Sequence, residues 1–168
     1  SERIEALLIV MTYCLMVYAG LVDQIRTKPK EKNLYFPNQK KKLVQKYFNQ
    51  GLTLAYGFNH AEAARSFFYA KKLDPTAAMA YWGYAYVLGP NYNAGMPAEN
   101  YIKAYNAIQI AKQLAKRNGN QKEIALTEAL SKRYPKEAVV DRNYLDSLYS
   151  VEMRKVYSSF PNDPDVGT

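Results

Sequence analysis

The chain has 168 residues, 48% of them hydrophobic and 23% charged, with a formal net charge of +8; this is enough for one domain with a real core. A single cysteine, Cys14, and a single histidine, His60, exclude an internal disulfide framework and any metal site built from several cysteines or histidines. The basic balance admits nucleic acid or an anionic membrane as partner, although lysines spread over solvated helix faces account for it as well.

Sixteen tyrosines suit packed surfaces that stay partly wet, because the ring is apolar while the hydroxyl needs a partner. The chain opens on Ser1 and closes on PNDPDVGT, which reads as a piece of something larger. Residues Ile4 to Val22, IEALLIVMTYCLMVYAGLV, are apolar nearly all round, as in a helix buried in protein or in membrane. The uninterrupted part, 6–22, has about the minimum length for a span. Arg26, Lys28, Lys30 and Lys32 follow it, as they do on a cytoplasmic side. Glu2 and Glu5 argue against a signal peptide, which leaves the cytoplasm as the default compartment. Residues 27–42, TKPKEKNLYFPNQKKK, are basic and broken by Pro29 and Pro37, the signature of a linker.

From Leu43 onward apolar residues recur at helical spacing, punctuated by Gly57, Asp74–Pro75, Gly89–Pro90, Asn118–Gly119, Pro135 and Pro161. This predicts helices at about 43–56, 60–73, 77–88, 98–117, 121–133 and 141–158, and an all-α body. A search for internal repeats finds one. Tyr47, Gln50, Gly51 and Leu54, then Ala63, Phe67, Ala70 and Pro75, fall where a tetratricopeptide repeat, which this stretch resembles, carries its signature residues across a helical hairpin, with Gln50 and Leu54 the weaker matches. Gly51 and Ala63 are small where the helices come closest, Phe67 fills the gap between hairpins, and Ala70 lets the next helix approach. Pro75 starts that helix. Thirty-four residues after Tyr47 comes Tyr81, with Ala85 in register with Gly51. Ala104, Ile108 and Ala111 then take the small-large-small positions, after a long loop at 89–97. Tyr149, Met153, Val156 and Pro161 keep the spacing of a third hairpin more loosely, and NDPDV opens a further helix.

Over about 43–168 these residues resemble bacterial tetratricopeptide-repeat (TPR) proteins, most specifically in the run YFNQGLTLAYGFNHAEAARSFFYAKKLDPTAAMAYWGYAYVLGPNYN. The resemblance implies tandem helical hairpins in a short α-solenoid and a peptide-binding groove lined by the first helix of each hairpin. It implies no catalysis. Carried onto this chain, the groove falls on Gln45, Phe48, Leu52 and Tyr56 in the first hairpin and on Met79, Trp82 and Tyr86 in the second. The same rings also fit as packing between hairpins or beneath the 89–97 loop.

The first forty residues, ERIEALLIVMTYCLMVYAGLVDQIRTKPKEKNLYFPNQK, resemble something else: the C-terminal tail of DDE-type insertion-sequence transposases. In that family the catalytic acidic residues lie upstream of the tail, so Glu2 and Glu5 carry no such role. The implied organisation is an apolar helix at 1–26, a linker at 27–42 and a helical repeat domain at 43–168, as in an element's end fused to a repeat gene.

His60 follows Asn59 where the second helix of the first hairpin begins. Spacing places no carboxylate or nucleophile beside it, so a turn and cap role is expected. Asp74, Asp141, Asp146, Asp163 and Asp165 match no calcium-loop pattern, and no phosphate loop, nucleophile elbow or zinc motif occurs. The reading is a non-enzymatic scaffold without cofactor that holds a protein or peptide. The alternatives are nucleic-acid contact inherited from the transposase-like end and a fused chain without selected function. Ionic strength separates the first two, because phosphate contacts weaken steeply with salt and apolar anchoring does not.

Overall fold

The computed structural model describes residues 42–91, 94–136 and 141–167. The apolar run 6–22 and residues 27–41 of the linker lie outside the described residues, together with the membrane, transposase and nucleic-acid expectations attached to them. The described residues form six helices: α1 (Lys42–Tyr56), α2 (His60–Leu73), α3 (Ala78–Leu88), α4 (Ala98–Asn118), α5 (Gln121–Ser131) and α6 (Arg142–Ser159). Among them the only β-type pairing is an isolated bridge between Asn91 and Ala94, so the fold class is all-α.

Five of the six helices start and stop within a residue of the spacing-based expectation. The exception is α5, which ends at Ser131 rather than 133. Its last turn tightens: Lys132, Arg133 and Tyr134 donate to the carbonyls of Ala129, Leu130 and Ser131. This three-residue register is common at helix ends, and here it swings Tyr134 under the preceding helices, where it is fully buried.

Helix starts follow local chemistry. Asn59 caps α2 by accepting from the Glu62 amide, and Asp141 caps α6 by accepting from that of Tyr144. Asn120 and Glu123 cap α5 reciprocally: Asn120 Oδ1 accepts from the Glu123 amide at 2.9 Å and Glu123 Oε2 from the Asn120 amide at 3.1 Å. Glu123 is buried, and that burial pushes its carboxyl above the usual range.

Consecutive helices pack on one another in series; α1 also reaches α3, and α3 reaches α5. The junction of the first three is a single ring. Phe67 of α2 is fully buried, edge-on to Phe48 of α1 at 5.3 Å between centroids. The ring lies close against helix backbone at two glycines, which carry no side chain there. A Cβ on Gly51 would stand 2.7 Å from the ring, and one on Gly83 of α3 would overlap it. Of the remaining repeat positions, Ala63, Ala70, Ala85, Ala104, Ile108 and Ala111 are all fully buried. Pro75 is exposed at the turn into α3. Tyr47 packs against Tyr69 with the rings tilted and their centroids 4.9 Å apart, beside a satellite cluster of Val44, Ala70, Ala77 and Ala80. Tyr81 is half-buried, with the Lys71 ammonium 5.3 Å from its ring.

Helix α3 is apolar on every side and is enclosed. Two long-range hydrogen bonds from buried groups tie its neighbourhood to α5. Trp82 Nε1–H donates to the Leu126 carbonyl at 3.2 Å, and the Tyr134 hydroxyl donates to the Ala85 carbonyl at 2.9 Å. Glu128 of α5 lies between Lys112 and Lys116 of α4, at 2.8 and 3.2 Å. Beyond α6, Asp163 pairs with Lys122 at 2.6 Å. The turn it begins repeats an earlier one. The Asp165 amide donates to Asp163 Oδ1 and the Val166 amide to the Asp163 carbonyl, as Thr76 and Ala77 do to Asp74. Ala77 and Val166 are both buried.

The Phe67 junction carries a prediction. Gly83→Ala should gain up to about 1 kcal/mol of helix propensity, yet lose about 1–3 kcal/mol net from the overlap with a ring that cannot move. Gly95→Ala, with nothing near its Cβ, should be neutral in the same thermal melts.

Candidate functional site

A cleft among the described residues has a volume of about 810 Å³. It runs from the α1–α2 turn, past the end of α3, to one face of α6. Tyr56, Phe58 and His60 form one side, Tyr86 and the Gly89–Asn91 segment the back, and Arg133, Tyr149, Met153, Arg154 and Tyr157 the other side. Val166 and Gly167 close one edge. Among the described residues the lining holds two arginines and a histidine and no carboxylate.

The α1–α2 turn is built in an unusual way. The Asn59 amide donates to the Leu54 carbonyl at 2.8 Å and the Phe58 amide to the Ala55 carbonyl at 3.1 Å, the double bond of a Schellman helix end. That motif puts one residue in the left-handed region, a place normally held by glycine. Here the glycine stands one position early, at 57, and the left-handed residue is Phe58, with φ 58°. Phe58 is 64% exposed, so no burial compensates the backbone strain. Its ring stands edge-on to His60 at 6.3 Å. Both ring nitrogens of His60 are hidden from solvent, and neither has a hydrogen-bond partner among the described residues.

The opposite side is rigid. The Arg133 Nε–H donates to Asp146 Oδ1 at 3.0 Å, and Nη2 donates to the Pro90 carbonyl at 3.3 Å. Its guanidinium lies 5.0 Å from the Tyr149 ring, within cation–π range. Burial pushes the Tyr149 phenol well above its ordinary value, so it is a neutral donor at physiological pH. Arg154 is exposed, and no ion pair engages it among the described residues. One side thus presents a pinned cation and the rim a free one.

Of the seven groove positions expected from sequence, the structure brings Tyr56 and Tyr86 into this cleft. Phe48, Leu52 and Met79 are buried in the core, away from any ligand, because their helix faces turn toward Phe67 and the neighbouring helices. Trp82, 8% exposed, lies behind Tyr86, stacked parallel on it at 5.3 Å, so it supports the cleft wall without lining it. Gln45 hydrogen-bonds Asn49 at 2.9 Å on α1 and is not at the cleft. Asn59 and His60 do form the cap and turn, and His60 also faces the cleft. Gly89, Pro90 and Asn91 place the start of the 89–97 loop along the cleft's back edge. Phe58, Arg133, Tyr149, Met153, Arg154 and Tyr157 escape sequence reasoning. The single available signal was the loose third-hairpin spacing of Tyr149 and Met153.

A second aromatic cluster lies elsewhere on the surface. Phe68, Tyr81 and Tyr84 surround the Lys71 ammonium at 4.3–5.3 Å from their ring centroids. Burial there lowers the Lys71 pKa, and the chain's own cation already fills the cluster. Among the described residues, no three His, Cys, Asp or Glu side chains converge to hold a metal ion, and no helix is long and apolar enough to cross a membrane. Comparison with protein-family models, curated proteins and solved structures returns no match for this chain.

The turn that carries Arg133 depends on its neighbour Tyr134, whose phenol is pushed up to about 12 chiefly by burial. The fold favours the neutral phenol, so this contribution is complete below pH 10 and is lost as pH rises toward 12; two pK units correspond to roughly 2.7 kcal/mol. Tyr134→Phe should cost about 1 kcal/mol at pH 7 by removing the bond to Ala85. In denaturant titrations its deficit against the parent should shrink steadily above pH 10.

Proposed function

We propose that this chain is a non-catalytic helical-repeat scaffold of TPR type that holds an extended protein or peptide segment in the cleft between the α1–α2 turn and α6. The observation that carries the reading is the lining itself: among the described residues it has five aromatic side chains and a methionine with three cationic or imidazole groups and no carboxylate. Aromatic, methionine and arginine side chains are those enriched at the centres of protein interfaces. An open cleft of this size with fixed walls fits a strand of peptide in which alternate side chains enter pockets.

The repeat assignment is supported by helices packed in series, by small residues at the close approaches on either side of Phe67, and by the recurrence of the Asp74 turn at Asp163. Binding rather than catalysis is supported by the composition of the cleft. Arg133 is consumed by Asp146, and among the described residues no carboxylate or nucleophile is hydrogen-bonded to His60, the one imidazole, to make it a general base.

Selection of phage-displayed dodecapeptides on the full chain tests this. Selected peptides should lose about tenfold or more in affinity on Met153→Arg, which blocks the cleft wall, and little on Ile102→Arg, at an exposed α4 position outside the cleft. Affinity should fall only severalfold between about 50 and 200 mM salt, against the roughly thousandfold loss of a surface that tracks phosphates. Selected peptides indifferent to Met153→Arg, or tight oligonucleotide binding with a steep salt slope, would contradict the proposal.

A further inference from the structure

Three features converge on the four residues 57–60. Phe58 holds a backbone conformation that bulky residues rarely adopt, although a glycine is its immediate neighbour and the ring is left mostly in solvent. A fold selected for stability alone would place glycine at 58. Strain of this kind persists where it serves a site. His60, one residue into α2, has both ring nitrogens hidden and unpartnered at the cleft wall. A neutral imidazole offers one donor and one acceptor, and leaving both unmet in a secluded position is unfavourable. The third feature is charge: with Arg133 already paired to Asp146, the cleft these two residues border keeps the exposed Arg154 and has no acidic side chain among its described lining residues, on a chain of net charge +8.

We propose that the Gly57–His60 turn is the recognition lip of the cleft, with Phe58 as a pre-positioned aromatic anchor and His60 as a polar anchor for an acidic peptide segment that carries a large apolar side chain. This rests on the peptide-binding reading above and names its ligand. The turn already presents the Phe58 ring outward in the free protein, edge-on to His60, so binding needs no backbone rearrangement there. The apolar side chain of the peptide enters between Phe58, Tyr86 and Tyr149. Because the His60 nitrogens are closed to solvent in the free protein, they meet a peptide carbonyl, amide or carboxyl group only once the ring turns toward the cleft, and an acidic side chain reaches the exposed guanidinium of Arg154. The partner is acidic because a basic segment would bring like charges to a lining that has no carboxylate to receive them.

The test uses fluorescein-labelled synthetic dodecapeptides, each with one Phe, Leu or Trp flanked by two glutamates, and their lysine-substituted counterparts, titrated by fluorescence anisotropy against the full chain. The glutamate series should bind and the lysine series should not. Phe58→Gly relieves the strain, so its melting temperature should equal or exceed that of the parent while affinity falls about tenfold or more. Phe58→Tyr keeps the ring and should bind within about threefold of the parent, and His60→Ala should lose about tenfold. A lower melting temperature for Phe58→Gly with unchanged affinity would show the ring to be structural and overturn the inference. If the peptides bind and Met153→Arg abolishes binding while Phe58→Gly and His60→Ala do not, the lip fails and the peptide-binding reading stands. If no peptide of either series binds and phage selection also fails, both fall together.

Discussion

The structure is organised around the ring of Phe67. Three helices meet on it, and they can do so only because two of them offer bare backbone where the ring lies. Gly51 and Gly83 each give up helix propensity for that contact, and a single methyl at either place would displace a ring enclosed on all sides. Interiors are close-packed and do not yield to such an addition. The approach of α1, α2 and α3 is therefore limited by one phenyl ring. From that approach follow the position of the α1–α2 turn and the direction in which the end of α3 points, and these form two of the three sides of the cleft.

The third side comes from α6 and is fixed by different means. Arg133 is held by Asp146 of α6 and by the carbonyl of Pro90, while the Tyr134 hydroxyl reaches back to Ala85. These bonds link the turn after α5 both to the last helix and to the end of α3. The apolar wedge and the polar clasp act on opposite sides of the same opening. The cleft is consequently pre-formed: its walls belong to elements locked for packing reasons, and among the described residues the backbone strain sits at Phe58 in the Gly57–His60 turn.

Much of the helical framework was legible in the sequence. Periodicity and punctuation located all six helices, and α2 from His60 to Leu73 was bounded on both sides by its Asn cap and its Asp–Pro stop. The importance of Phe67 and of Gly51 was legible as well, because a large ring opposite a glycine at hairpin spacing has few other uses. Gly83 was not singled out: the 34-residue register placed Ala85 opposite Gly51 and gave no reason to look two residues earlier. The cleft was legible only in part. Tyr56 and Tyr86 were named, but Phe48, Leu52, Met79 and Trp82 were named beside them, because spacing reports which residues share a helix face and not which side of a stack that face turns to. Residues 133 and 149–157 reach the opening from the other end of the chain through contacts that no local pattern encodes. The strain at Phe58 leaves no trace in the sequence beyond the order Gly-Phe where Phe-Gly is expected.

The central claim is that the opening between the lip and α6, rather than the first-helix faces buried in the core, is the surface that meets a partner. Methyl and aromatic NMR signals of the full chain, followed while an acidic, aromatic dodecapeptide is added, test it directly. The account predicts progressive shifts at the Met153 methyl and at the ring protons of Phe58 and His60, with the Met79 methyl, sealed in the core, unmoved. Shifts concentrated on the Lys71 cluster or on the exposed α4 position Ile102, with Met153 and His60 silent, would contradict it.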